Sequence, residues 1–72
     1  MKVEIVLTTI EAGFVVEKVV AKDKVTDRTN IKGLLTWYAA RLFKGGFNLR
    51  RDDGNVFRWV AIGSRGDTLT IR

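Results

Sequence analysis

The chain has 72 residues and a mass of 8.1 kDa, with thirteen Lys and Arg against eight Asp and Glu, a formal net charge of +5, and no Cys, His or Pro. That length admits one domain, residues 1–72, whose folding hides only about 60 % of the unfolded surface. The missing Cys and His exclude disulfides, thiolate nucleophiles, zinc fingers and the commonest general base, so binding is expected rather than catalysis, with no cofactor.

Residues 2–10 alternate Val3, Ile5 and Leu7 with Lys2, Glu4 and Thr8 and are rich in β-branched side chains, the pattern of a strand. Gly13 marks a turn, and a second β-branched run over 14–22, with Val15, Val16, Val19 and Val20, completes a hairpin. A two-residue turn at Ala12 and Gly13 places Val3, Ile5, Leu7, Val16 and Val20 on one face and Val6, Ile10, Val15 and Val19 on the other. Both faces are then partly apolar, so either the hairpin is covered on two sides, a second copy of the chain being one candidate, or its register differs from this one. Thr8, Thr9, Glu11, Glu17 and Lys18 interrupt this apolar third well short of the roughly 20 residues that span a bilayer. Glu4 and the alternation also argue against a signal peptide, so no membrane and a cytoplasmic address are expected.

A polar stretch over 23–29 leads to a helix from about 30 to 44, with Asp27, Thr29 or Asn30 as its cap. Ile31, Leu34, Leu35, Tyr38 and Leu42 share one helical face with Ala39 at its edge, and Lys44 with Gly45 and Gly46 ends the helix. Trp37 falls off that stripe, on a flank with Arg41 and Lys44. Residues 47–51 and 56–62 then flank Asp52-Asp53-Gly54-Asn55, a hairpin signal, and a turn at Ser64-Arg65-Gly66-Asp67 leads into 68–72. With Asp53–Gly54 and Arg65–Gly66 as turn centres, Phe47, Leu49, Val56, Val60, Ile62, Leu69 and Ile71 form a core face. The opposite face carries Asn48, Arg50, Phe57, Trp59, Ala61, Thr68, Thr70 and Arg72.

The element order β-β-α-β-β-β predicts a small α+β domain, one antiparallel or mixed sheet with one helix packed across a face. In order of elements it resembles the β-grasp arrangement of ubiquitin-like folds, without any family motif.

Charge is segregated along the chain. Residues 1–30 carry five basic and five acidic side chains, so the surplus lies beyond Asn30, and residues 31–51 hold Lys32, Arg41, Lys44, Arg50 and Arg51 with no carboxylate. Six of the seven aromatics lie in the same part of the chain, leaving only Phe14 outside. Rings give stacking of about 1–3 kcal/mol per unpaired base, and guanidinium groups neutralise phosphate. The candidate nucleic-acid-binding residues are therefore Trp37, Arg41 and Lys44 on the helix flank, and Asn48, Arg50, Phe57, Trp59 and Arg72 on the sheet face away from the helix. The competing structural reading shifts the register by one residue, burying Phe57 and Trp59, and assigns the helix cations to solubility and the helix dipole.

Two motifs carry little. Asp52, Asp53 and Asn55 lack the further acidic ligand a cation loop needs and are crowded by arginines, and Arg65-Gly66-Asp67 is ordinary turn chemistry. The expected function is a small basic, non-enzymatic binding module for nucleic acid or a nucleoprotein complex. The alternative is an inhibitor or adaptor of phage or mobile-element type that binds a host protein complex, for example an anti-CRISPR or a transcription inhibitor. A homodimer sealed through Val6, Ile10, Val15 and Val19 is a third possibility.

Overall fold

The structure is a computed structural model that describes residues 2–26, 31–51 and 59–72. Strands β1 (Lys2–Glu11) and β2 (Phe14–Lys24) form the expected hairpin. Its loop has φ of 50° at Ala12 and 83° at Gly13, the two-residue turn whose twist matches that of the flanking strands. Glu11 therefore faces Phe14, and the ladder runs regularly until a bulge between Ile5 and Val6. Ile5 pairs with Ala21 and Val6 with Val19, which leaves Val20 as the extra residue, packed onto the core.

Helix α1 (Ile31–Leu42) buries Leu35 and Ala39, with Ile31, Leu34 and Tyr38 packed beside them; Ala39, expected at the edge of the stripe, is fully buried, and Leu42, expected on it, is 42 % exposed at the end of the helix. Strands β3 (Phe47–Arg51), β4 (Trp59–Gly63) and β5 (Thr68–Ile71) complete one sheet of order β2-β1-β5-β4-β3. All four pairings are antiparallel, which decides between the two sheet types left open by the sequence. The result is a small α+β domain in which α1 lies on the connection between the two edge strands, β2 and β3, and rests chiefly on β4, with further contact to β5 and β3. The core gathers Val3, Ile5, Val25, Leu35, Ala39, Ala61 and Leu69 on that side.

Strand β4 corrects the sequence reading. A two-residue turn at Asp53–Gly54 would pair Arg51 with Val56, whereas Arg51 pairs with Trp59. An odd shift turns a strand over, so Trp59 and Ala61 face α1 while Val60 and Ile62 face away. The β4–β5 connection is consistent with this. Gly66 donates to the Gly63 carbonyl at 3.0 Å and Gly63 to that of Asp67 at 2.8 Å, closing a three-residue loop with Gly66 at φ 91°, in place of the two-residue turn expected. Packing explains the choice: the helix approaches β4 over the small residues Ala61 and Gly63, and a Cβ on Gly63 would sit 2.8 Å from the Phe43 ring. Val60 and Ile62 are too bulky for that side. The helix cap at Asp27, Thr29 or Asn30, the turn at 52–55, and Val56 and Phe57 lie outside the described residues.

Among the described residues the other sheet face carries no helix. Its centre is nevertheless dry, since Val6 is only 3 % exposed. Arg72, joined to Glu4 by two backbone hydrogen bonds of 2.8 and 2.9 Å, reaches over β1 to place Nη1 2.7 Å from Glu17 Oε2 on β2. That diagonal crosses the Val6 position. Towards the hairpin loop the cover ends, because β5 pairs with β1 only as far as Thr8. Ile10, Phe14 and Val15 are 73 %, 74 % and 68 % exposed, on both faces of a two-stranded ribbon.

Candidate nucleic-acid interface

Residues 31–51 become α1, the turn after it and the edge strand β3, so the carboxylate-free segment occupies one helix and one sheet edge. Lys32, Arg41, Lys44, Arg50 and Arg51 are all exposed. Among the described residues the ion pair between Arg72 and Glu17 engages none of them.

Trp37 lies about 200° around α1 from Leu35 and from Ala39, which points its indole away from the sheet and leaves it 51 % exposed. One turn on, the Arg41 guanidinium carbon stands 3.8 Å from the indole centroid, an i,i+4 stack, and Tyr38 meets the indole edge-on at 4.8 Å and 80°. The Tyr38 hydroxyl donates to Asp23 Oδ2 at 3.1 Å, while Asp23 Oδ1 accepts the Lys24 backbone N–H at 2.7 Å. Burial, then the hydrogen bond and charge of Asp23, hold the Tyr38 phenol above its ordinary pKa. Trp37, Tyr38, Leu34 and Gly33, with residues 23–26 at and beyond the end of β2, line an open cleft of about 530 Å³.

Trp59 requires a second correction. The leading reading put it on the sheet face away from the helix, but the inverted β4 places it half-buried on the helix side, as the competing reading of the register has it. Lys32 Nζ lies 4.4 Å and the Arg51 guanidinium carbon 5.2 Å from its ring centroid, so one ring holds a helix cation and a strand cation at the α1–β3 seam. Each such contact is worth about 0.5–1 kcal/mol at an exposed site. Lys32 and Arg51 stood out in the sequence as members of the carboxylate-free segment, but their meeting on Trp59 depends on the β4 register.

The remaining candidates separate. Asn48 and Arg50 are exposed on the helix-distal face of β3, as expected. Lys44 is exposed in the turn after α1, where Gly46 takes φ 97° and a Cβ on Gly45 would fall 2.8 Å from Ser64 Oγ. Arg72 lies on the helix-distal face but is committed to Glu17, whose carboxyl it holds below the usual range by hydrogen bond and charge. Phe57 is outside the described residues. The structure thus joins Trp37 with Arg41 on α1 and Asn48 with Arg50 on β3, and does not bring the eight candidates onto one face.

Among the described residues no group of three or more carboxylates could hold a metal ion, and no helix is long and apolar enough to cross a membrane. No family model matches the chain, and neither the curated proteins nor the solved structures yield a match to it.

Proposed function

We propose that the protein is a small basic, non-enzymatic module that binds nucleic acid, alone or within a nucleoprotein complex, along α1 and β3. The observation that carries this reading is the exposure of all five cations of residues 31–51 on one helix, the turn after it and the edge strand β3, in a segment without a carboxylate. Lys32, Lys44, Arg50 and Arg51 neutralise phosphates, Trp59 fixes the directions of Lys32 and Arg51, and Trp37 with Arg41 offers a ring for an unpaired base. Arg72 has no part in this surface. A cytoplasmic location suits such a role.

The test is affinity for single-stranded DNA and RNA as a function of salt. The logarithm of the binding constant should fall linearly with the logarithm of salt, by about 0.7 per phosphate neutralised on a single strand, and Arg50→Ala with Arg51→Ala should lower that slope by about 1.4. Absent or salt-independent binding at low ionic strength overturns the reading.

The exposed β1–β2 ribbon favours a second reading, a phage- or mobile-element-type inhibitor or adaptor that docks on a host protein complex, with Ile10, Phe14 and Val15 as anchors. A pull-down that yields a stoichiometric protein complex after nuclease treatment, lost with Ile10→Ser and Val15→Ser, supports this second reading. Partners that disappear with nuclease support the first.

A further inference from the structure

The cleft beside Trp37 has features that packing does not demand. Gly33 lies within α1, where glycine weakens a helix, yet a Cβ there meets nothing within 4 Å. It therefore leaves bare helix surface one turn before Trp37, on the same side of the helix, and both line the cleft. Arg41 stacks on the indole but is not among the groups that line the cleft, whereas Trp37 and Tyr38 both are. At the rim stands Asp23, held by Tyr38 and by the Lys24 N–H. A carboxylate has about four acceptor directions, and these two bonds use one on each oxygen. The volume of about 530 Å³ falls within the range of small-ligand sites, about 300–1,000 Å³.

We infer that this cleft receives one unpaired nucleobase and prefers guanine. The base enters between Gly33 and Trp37, and Asp23 accepts hydrogen bonds from the adjacent N1–H and N2–H₂ donors of guanine. Adenine, cytosine and uracil do not present two adjacent donors on that edge. Tyr38, through its bond to Asp23, is a positioning residue. The inference rests on the nucleic-acid reading above, which it deepens from phosphate tracking to choice of base. A base in a strand and a free nucleotide share this chemistry.

The experiment follows the two indole N–H resonances by NMR, assigned with Trp59→Phe, during titration with the 5′-monophosphates of guanosine, adenosine, cytidine and uridine. Guanosine monophosphate should shift the Trp37 signal at the lowest concentration and leave that of Trp59 nearly unmoved. Asp23→Asn should cut the preference for guanine over adenine about tenfold. Gly33→Leu should weaken binding at least tenfold while the protein melts no lower, because leucine is the better helix former and the position is open. A Trp37 signal unmoved by millimolar nucleotide, or unchanged binding in Gly33→Leu, overturns the inference.

Thymidine nonamers with and without one central guanine identify the source. Tighter binding of the guanine nonamer than of the mononucleotide points to a strand, and equal binding to a free nucleotide. Both nonamers bound equally, in a salt-dependent manner, sinks the base pocket alone. Neither bound at low salt sinks the α1–β3 reading, whatever the mononucleotides do.

Discussion

Ile5 and Ile10 belong to the same strand and have the same chemistry, yet one is fully buried and the other 73 % exposed. Strand β1 spans about 34 Å, but β5 pairs with it only from Ile5 to Thr8, so one end of β1 lies within the five-stranded sheet and the other is a bare ribbon. The covered part is a two-layer domain. The overhanging part buries almost nothing, and a two-stranded ribbon alone is marginal in water. Alternation in the sequence therefore reports which face a residue takes, and the reach of the second layer decides whether that face is buried.

The largest test of this contrast sets Leu35→Ala against Val15→Ala. Leu35 is fully buried, and its truncation should cost about 3 kcal/mol in urea unfolding, whereas Val15→Ala should stay within about 0.5 kcal/mol. A similar loss in Val15→Ala would mean that the ribbon is covered in solution. Next comes the centre of the sheet face opposite α1, where the Thr70 hydroxyl is buried with no hydrogen-bond partner among the described residues, across from Val6. Thr70→Val should stabilise the protein by about 1 kcal/mol, and a loss would show that water reaches this part of the sheet.

At the ribbon tip, Ala12 occupies the left-handed region that asparagine tolerates better. Ala12→Asn should raise global stability by about 0.5 kcal/mol or less and slow amide exchange within the ribbon more than elsewhere, as read by hydrogen exchange. The smallest effects concern pH. Arg72 lowers the Glu17 pKa in the folded state, so the stability from this pair is present above the ordinary carboxylate range and is lost as pH falls through the lowered value. Glu17→Gln should remove that part of the acid limb. Tyr38 behaves in the opposite sense: its raised pKa gives stability that is present below about pH 10 and is lost as pH rises through the folded value, and Tyr38→Phe should flatten that alkaline limb.

The hairpin of β1 and β2 was legible because a two-residue loop fixes register, so the assignment of Val3 and Ile5 to one face and Val6, Ile10, Val15 and Val19 to the other survives. The helix was legible from its stripe, and Trp37 from its absence from it. Strand β4 was not, because the parity of its pairing depends on how many residues separate it from β3, and Asp-Gly does not by itself decide between even and odd offsets. Trp59 changed sides with that parity, so the site changed from one helix-distal platform into a seam between α1 and β3. The ion pair of Glu17 with Arg72 required the sheet order, which places β1 between two strands distant in sequence.

That order has a kinetic consequence. The central pairing joins Ile5 with Ile71 and Leu7 with Leu69, so the middle of the sheet closes only when the two halves of the chain meet. The β1–β2 hairpin needs no such encounter and forms on a timescale of about 1–10 μs. Folding should therefore wait on the β1–β5 seam, and Leu69→Ala should slow refolding more than it speeds unfolding in a chevron analysis. During that interval Ile5 and Val6 share the exposure that Ile10 keeps in the native protein, and the nascent chain is at its most adhesive before its cations have found their places on the surface.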